Sequence, residues 1–217
     1  MRPLPRLLAF GDDRIAALDD FGIRAAAIAA AGPAVALVAR MPAANTDTLG
    51  TFAQRCLALA RPPEASVFVT GRADVAMAVG ASGVILRKDD LTIADVRAAT
   101  GTERKLFVLR SIHDDHEAEL AIDEGADGVI VGSIWESASH PGRGGAGLAL
   151  LERVAGRGVP TFAIGGVTAL RAAEARAAGA WGVAAITALW DAADPYAAAR
   201  AMLAPWQDAE PGAAPCN

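Results

Sequence analysis

Two glycines, Gly165 and Gly166, directly follow a short apolar run, TFAI. Later in the chain Ile186 and Thr187 follow a second apolar run, GVAA. Glycine lets a backbone approach an anion closely, and backbone N–H groups bind phosphate well. If the two runs are neighbouring strands of a parallel barrel, their turns lie side by side and can form a phosphate cup. The pattern predicts phosphate binding by these four residues; a tight turn without a ligand is the alternative at Gly165–Gly166.

A third apolar run, GVIV, leads into the segment GSIWESASHPGRGG, residues 132–145. The hydroxyls of Ser137 and Ser139 can hydrogen-bond a phosphate, and His140 can act as a general acid or as a partial cation. The glycines of the segment suit a lid over an active site. The alternative is a solvent-exposed connection with a solvated histidine.

Other polar side chains also stand where apolar runs end. Arg40 ends the run AVALVAR, and Ser111 and His113 follow the run KLFVL. Arg40 is either a functional residue of the site or a solvated charge on the surface. Asp90 precedes a segment with helical spacing, so one interpretation is that it caps a helix beginning at Leu91. In a barrel these positions meet at the C-terminal ends of the strands, where active sites are built.

These side chains need a framework that brings strand ends together. Eight short apolar runs alternate with alanine-rich segments of helical spacing, which is typical of parallel strands covered by helices. We predict a single-domain α/β protein over residues 1–207, a (β/α)8 barrel, followed by a disordered tail over 208–217. An open doubly wound sheet would need a glycine-rich fingerprint after its first strand, where this chain has GDDR. The predicted strands are 7–10, 34–40, 66–70, 83–86, 105–109, 128–132, 161–166 and 182–186, and the predicted helices are 46–60, 72–80, 91–100, 114–124, 146–157, 168–178 and 194–203.

The composition narrows the functional classes. The chain has 217 residues and a net charge of −5, and an acidic chain without a run of Lys and Arg is not expected to bind nucleic acid. Small phosphorylated substrates are compatible with this negative net charge, because backbone amides bind phosphate without net positive charge. The apolar runs are too short for a membrane span. No disulfide is expected between Cys56 and Cys216, which fits a cytoplasmic location, and a homo-oligomer stays open.

Five segments between residues 66 and 190 carry recognisable motifs: GRADVAMAVGASGVILRKDDL, SIH, EAELAIDEGADGVIVG, GVPTFAIGGVT and GAWGVAAITAL. They resemble the thiamine phosphate synthase family, whose close relative is the thiazole tautomerase TenI. The family patterns are N-D-R-x-D-L-A, G-A-D-G-V-H-L-G-Q-x-D, S-x-H, G-A-D-Y-x-x-x-G-P, A-I-G-G-I and G-V-A-V-V-S-A-I. The resemblance implies a transferase that joins hydroxymethylpyrimidine diphosphate to thiazole phosphate and releases pyrophosphate with the help of Mg²⁺.

The resemblance also implies roles for individual residues. Arg40 and Ser111 stand where the family contacts the diphosphate, and Asp90 stands at one of two Mg²⁺-binding aspartates. Ser137 and Ser139 replace two phosphate-contacting threonines of the family pattern T-x-T-K. The residues that match the thiazole phosphate cup are Gly165, Gly166, Ile186 and Thr187.

Other positions depart from the family pattern. The Asn-Asp pair of N-D-R is Thr70–Gly71 here, which removes one of the two Mg²⁺ carboxylates. The lysine of T-x-T-K is His140. Mg²⁺ on a diphosphate usually binds one or two carboxylates as well, so we expect Mg²⁺ with Asp90 as its one matched ligand. Further departures are Val38 for Gln, Pro42 for Lys, Ile85 for His and Lys88 for Gln.

Three functions therefore stay open. The first is an active thiamine phosphate synthase with a diverged diphosphate site. The second is a TenI-like thiazole tautomerase or another diverged enzyme, which needs an acid-base group such as His140 or His113 near the thiazole. The third is a non-catalytic binder of a phosphorylated ligand, which keeps the Gly165–Thr187 cup.

Overall fold

The structure, a computed structural model, describes residues 3–100, 106–136 and 145–207. Within these residues eight parallel strands close into a barrel, and each strand pairs with its neighbours in chain order. The last strand pairs with the first, with Leu7 opposite Val183. The predicted barrel is therefore confirmed, and the doubly wound sheet is excluded. The strands are β1 (Leu7–Gly11), β2 (Val35–Ala39), β3 (Ser66–Thr70), β4 (Gly83–Leu86), β5 (Phe107–Ile112), β6 (Gly128–Gly132), β7 (Thr161–Ile164) and β8 (Gly182–Ala185).

Helices follow every strand in the described residues and cover the barrel. All seven predicted helices are present, each within two residues of its predicted bounds. A helix between the first two strands, Phe21–Ala29, was not among the predicted helices. The helices are α1 (Asp13–Ala16), α2 (Phe21–Ala29), α3 (Thr46–Ala60), α4 (Ala73–Val79), α5 (Ile93–Thr100), α6 (Asp115–Asp123), α7 (Gly147–Ala155), α8 (Ala169–Ala177), α9 (Thr187–Trp190) and α10 (Pro195–Leu203), with a final 3₁₀ turn over Ala204–Trp206.

The interior of the barrel is a packed apolar core. Successive residues of a strand point to opposite faces, so alternate positions of each strand fill the interior. Phe10, Phe68 and Phe162 are the largest of these, and each is at most 4% exposed. The other strand positions form a larger core with the helices. Because the interior is filled, a ligand site must lie at an end of the barrel.

Glycines close three helices just before a strand. After α4, Gly80 N–H donates to the carbonyl of Met77, and Ala81 N–H donates to that of Ala76. The same pair of bonds closes α6 and α8, and in each the glycine has positive φ. This Schellman arrangement satisfies the last carbonyls of the helix and turns the chain directly into the next strand.

Arg6 and Trp181 close the N-terminal end of the barrel. The Arg6 guanidinium lies 3.4 Å from the centre of the Trp181 ring and donates a hydrogen bond of 2.8 Å to the Trp181 carbonyl. The indole Nε1–H of Trp181 donates to the carbonyl of Pro5 at 3.0 Å. Trp181 therefore packs at the opposite end from the turns that carry Arg40 and Asp90.

Two local predictions are wrong. The predicted strand 105–109 is β5, which runs to Ile112, so Ser111 lies in the strand and not in the loop after it. Asp90 does not cap a helix at Leu91. Helix α5 starts later, at Ile93, and the capping bonds there join Thr92 and Asp95: Thr92 N–H donates to Asp95 Oδ2 and Asp95 N–H to Thr92 Oγ1.

Other expectations meet the described residues only in part. No helix among them is both long and apolar enough to span a membrane. Cys56 is buried, while Cys216 and the predicted tail over 208–217 lie outside the described residues.

Candidate functional site

The strand alternation carries several polar residues to the C-terminal mouth of the barrel. Val38 faces the interior, so the same face of the chain reaches Arg40 two residues later. By the same period, Phe68 leads to Thr70, Ile85 to Arg87 and Leu109 to Ser111. The predicted residues Arg40 and Ser111 therefore lie, together with Thr70 and Arg87, on one ring of residues around the C-terminal mouth of the barrel. The period that places them is visible in the sequence.

A cavity of about 180 Å³ opens at this mouth beside β2, β3 and β4. Pockets that enclose a whole small ligand are commonly about 300–1,000 Å³, so this one suits a compact group. Its polar lining is mainly cationic. The lining residues are Arg40, Met41, Pro42, Ala44, Leu49, Thr70, Gly71, Arg72, Arg87 and Asp90.

Arg87 and Asp90, both in the cavity wall, are joined by three hydrogen bonds. Asp90 Oδ2 accepts the backbone N–H of Arg87 at 2.7 Å and its Nε at 3.2 Å, and Oδ1 accepts Nη2 at 3.0 Å. The Asp90 side chain is 9% exposed and that of Arg87 is 51% exposed. Burial alone would raise the pKa of Asp90, but the hydrogen bonds and positive charge of Arg87, helped by Arg110, hold that pKa below its usual value.

The other cations of the cavity differ in how they are held. Arg72 donates to the carboxylate of Asp74 and, at 2.7 Å, to Thr46 Oγ1. Arg40 makes no side-chain hydrogen bond or ion pair with any described residue. The buried hydroxyl of Thr70 likewise has no hydrogen-bond partner in the described part of the chain. Arg40 and Thr70 therefore have free polar groups at the cavity.

The turn after β7 is built on glycines for steric reasons. A Cβ on Gly165 would lie 1.9 Å from Ser133 Oγ, and one on Gly166 would lie 2.5 Å from the carbonyl oxygen of Glu136. Both glycines have positive φ. The Gly166 carbonyl accepts Nη1 of Arg171 at 2.6 Å, which anchors the turn from the helix side. These glycines thus let the start of the β6–α7 segment lie against the turn.

The turn after β8 lies beside the first one, because β7 and β8 are paired. Ile186 is half-buried against the interior core and Thr187 is exposed. The N–H groups of Gly165, Gly166 and Thr187 have no acceptor among the described residues. The two predicted turns therefore lie side by side, and their unpaired N–H groups are available to bind an anion. Helix α9 has four residues, so any anion here depends on turn amides more than on a helix dipole.

The segment between β6 and α7 is fixed at both of its ends over β7. Ile134 N–H donates to the Ile164 carbonyl at 2.8 Å, and Ala146 N–H donates to the Ser133 carbonyl at 2.8 Å. Trp135, packed against the outer core, lies 5.4 Å beneath the Arg171 guanidinium. The segment therefore starts and ends at the C-terminal mouth. The predicted site residues Ser137, Ser139 and His140 lie outside the described residues.

His113 and Lys88 share a partner on the rim of the barrel. Glu117 accepts Lys88 Nζ at 3.1 Å and contacts His113 Nδ1 at 3.1 Å. Both side chains are mostly exposed, 74% for Lys88 and 67% for His113. His113 is therefore an exposed residue of the rim. Lys88 is a solvated, paired lysine, and His113 lies with it, outside the cavity lining.

A sequence model described as thiamine monophosphate synthase matches residues 12–189. The chain belongs to the thiamine monophosphate synthase family. The thiamine-phosphate synthase of Thermus thermophilus is 38% identical over 151 residues, which are 69% of this chain and 71% of that one. The thiamine-phosphate synthase of Mycolicibacterium smegmatis is 40% identical over 147 residues, 67% of this chain and 64% of that one.

A solved member of the thiamine monophosphate synthase family has the same architecture. The thiamine phosphate pyrophosphorylase of Pyrococcus furiosus superposes with a TM-score of 0.75 at 28% identity, covering 91% of this chain and 93% of that one. The resemblance and the barrel predicted from the sequence are both confirmed.

The Mg²⁺ implied by the thiamine monophosphate synthase family does not fit the described residues. They contain no group of three or more His, Cys, Asp or Glu able to hold a metal. Asp90 is the one carboxylate of the cavity lining, and Arg87 already occupies both of its oxygens. Sequence reasoning missed Arg87, although the family pattern L-G-Q-x-D, which has glycine at this position, contained the signal.

Proposed function

We propose that this barrel is a thiamine phosphate synthase, which couples hydroxymethylpyrimidine diphosphate to thiazole phosphate and forms thiamine phosphate and pyrophosphate. The observation that carries the proposal is the arrangement of the mouth. Two adjacent turns with spare N–H groups stand on β7 and β8, and a cationic cavity stands on β2 to β4. Identities of 38–40% to thiamine-phosphate synthases support the same reaction.

The two halves of the mouth suit the two substrates. The monophosphate of the thiazole binds at the Gly165–Gly166 turn and the Ile186–Thr187 turn. The diphosphate binds at the cavity, where Arg40 and Arg87 face it and the Ser111 hydroxyl lies on the same ring. Ile164 and Ile186 are partly buried against the interior core at these two turns, and the flat rings can pack against their apolar side chains.

The reaction needs the leaving diphosphate to be stabilised. The bond between the pyrimidine methylene carbon and the diphosphate oxygen breaks, the thiazole nitrogen forms a bond to that carbon, and pyrophosphate leaves with the electron pair. Fixed cations at the site of developing charge contribute most in such steps. The Arg40 guanidinium, which has no partner among the described residues, is the group best placed to bind the leaving group.

A coupling assay with both substrates tests the proposal. We expect thiamine phosphate at turnover rates of order 1 s⁻¹ or slower, since typical enzymes work at about 1–10³ s⁻¹. We expect Arg40→Gln to lower the rate about 10²- to 10³-fold, the usual cost of removing one charge-stabilising group. The matched control is Arg14→Gln, which removes a surface arginine paired with Asp191. Absence of product from the folded wild-type chain would contradict the proposal.

The loss of the second carboxylate at Gly71 favours a second candidate, a diverged family member that acts on thiazole phosphate alone. This class includes a TenI-like tautomerase and a non-catalytic binder. Calorimetry with thiazole phosphate together with a tautomerisation assay separates these cases from a synthase. Binding of thiazole phosphate without coupling product would favour the second candidate, and tautomerisation would then distinguish the enzyme from the binder.

A further inference from the structure

Two positions of the chain depart from the family pattern in opposite senses. The pattern N-D-R has aspartate where this chain has Gly71, and the pattern L-G-Q-x-D has glycine where it has Arg87. One exchange removes a carboxylate, and the other adds a guanidinium. Gly71 follows β3 and Arg87 follows β4, and these strands are paired neighbours.

The two exchanged positions meet in space around Asp90. A Cβ on Gly71 would lie 3.2 and 3.3 Å from the two carboxylate oxygens of Asp90 and 3.4 Å from Arg87 Nη2. An aspartate at position 71 would therefore bring a second carboxylate to the place where the Arg87 guanidinium now lies. A guanidinium at position 87 fits because position 71 has no side chain.

We propose that Arg87 takes the place of the divalent cation, so that this corner binds a diphosphate group without a metal. The charge balance is the same in both arrangements. Two carboxylates with one divalent cation sum to zero, as do one carboxylate and one guanidinium. The inference rests on the proposed function for the identity of the bound group, a diphosphate ester.

The geometry leaves Arg87 able to bind an anion while it holds Asp90. A guanidinium has five N–H donors, and Asp90 takes one from Nε and one from Nη2. Three donors remain on a side chain that is half exposed and lines the cavity. Asp90 fixes the orientation of the guanidinium, as a carboxylate ligand would fix a metal ion, so Asp90 is a positioning residue in this arrangement.

Neighbouring groups complete a metal-free anion site. Arg40 lines the same cavity, and its guanidinium has no partner among the described residues. The buried Thr70 hydroxyl supplies an unused donor at the end of β3. Arginine binds phosphate through paired N–H groups with defined geometry, so two arginines can hold both phosphates of a diphosphate.

Calorimetry of the full chain with inorganic pyrophosphate in the presence of EDTA tests the inference. We expect binding under these metal-free conditions. We expect Arg87→Gln to weaken it about 10- to 100-fold, which corresponds to the loss of charge-assisted hydrogen bonds. The double variant Arg87→Gln/Asp90→Asn should lose as much, and it leaves no unpaired carboxylate that would disturb folding. Pyrophosphate binding that requires Mg²⁺, or that survives both variants unchanged, would overturn the inference.

Arg153 supplies a matched control. It donates to both carboxylate oxygens of Asp115 through Nε and Nη2, much as Arg87 does to Asp90, and it lies on α7, outside the cavity. Arg153→Gln should leave pyrophosphate binding unchanged. An equal loss in Arg153→Gln and Arg87→Gln would show a general charge effect and refute a specific role of Arg87.

The reverse exchange tests whether the guanidinium and a metal share one place. The variant Gly71→Asp/Arg87→Gly restores two carboxylates, and aspartate is among the residues that tolerate the positive φ of position 71 best. We expect it to bind Mn²⁺, measured by electron paramagnetic resonance, at least tenfold more tightly than the wild type. Equal Mn²⁺ binding by both proteins would contradict a shared place.

The pyrophosphate-binding experiment and the coupling assay can succeed or fail independently of each other. Metal-free pyrophosphate binding by a chain that forms no thiamine phosphate would support the inference and refute the synthase. Thiamine phosphate formation that depends strictly on Mg²⁺ would support the synthase and refute the inference.

Discussion

Asp90 accepts three hydrogen bonds from one residue, Arg87, through the backbone N–H and two guanidinium nitrogens. The turn between β4 and α5 thus closes on itself, and the carboxylate is nearly buried. Since a buried carboxylate is costly without partners, the fold and the charge of this corner depend on the same pair. That dependence makes the pair visible in stability measurements as well as in ligand binding.

The stability contributed by Asp90 should depend on pH. The folded state lowers the pKa of Asp90. The ionised carboxylate therefore stabilises the fold fully above the unfolded-state pKa near 4, and this stabilisation is lost as the pH falls through the folded-state pKa. We expect Asp90→Asn to lower the free energy of unfolding at pH 7 by about 1–3 kcal/mol, with the difference from wild type shrinking below pH 4. Urea titrations at several pH values measure it.

A surface pair gives the control for this experiment. Asp191 pairs with Arg14 while both side chains are more than 40% exposed, and such pairs contribute about 0–1 kcal/mol. Asp191→Asn should therefore change stability little. A pH-independent effect of Asp90→Asn would show that the carboxylate's ionisation does not stabilise the fold.

Gly165→Ala should destabilise the protein by more than about 2 kcal/mol. The added Cβ would meet Ser133 Oγ, and φ at this position is +95°, so overpacking and backbone strain add together. Gly22 in α2 is the control, because a Cβ there meets nothing within 4 Å. Gly22→Ala should stabilise by about 0.5–1 kcal/mol. Equal effects in thermal unfolding would refute the steric account.

Thr70→Val should leave the free protein as stable or make it more stable by about 1 kcal/mol, because the buried Thr70 hydroxyl has no partner among the described residues. Thr161 is the matched residue, since its buried hydroxyl donates to the Val159 carbonyl at 2.8 Å. Thr161→Val should destabilise by about 1 kcal/mol. Chemical denaturation of both variants measures these differences. A destabilised Thr70→Val variant would show that the Thr70 hydroxyl makes a hydrogen bond in the free protein.

Cys56 should be unreactive in the folded protein. Burial raises the pKa of its thiol to about 12, and the thiolate is the reactive form. In the variant Cys216→Ser, which leaves Cys56 as the single thiol, we expect labelling by a disulfide reagent only after unfolding in denaturant. Rapid labelling of the native variant at pH 8 would contradict this expectation.

The order of strands and helices was predictable because each unit carries its own signal. Continuous apolar runs and alanine-rich segments of helical period alternate through the chain, and the glycines before three strands mark where helices end. The end of β5 was not predictable in this way. Arg110 and Ser111 are polar, which suggests a loop, yet Arg110 pairs outside the barrel with Glu124 and the strand continues.

Site residues were predictable where the position of a single residue after a strand indicates its role. They were not predictable where the role depends on contact between two residues. Arg40 and the Gly165–Gly166 turn follow from their positions after apolar runs. The helix-cap interpretation of Asp90 is wrong because Arg87, three residues earlier, binds its carboxylate, and sequence spacing does not show this pairing. The role proposed for Arg87 depends on the empty space at Gly71, which follows a different strand.

The closed N-terminal end of the barrel also brings the two ends of the described chain together. Pro5 accepts a hydrogen bond from Trp181, and Trp206 donates one to the adjacent Ala180 at 3.3 Å. Both ends of the described chain therefore lie near the start of β8, across the barrel from the mouth. A short peptide could join them in a circular permutant, and fusion partners or surface tethers attached there would leave the mouth facing solvent.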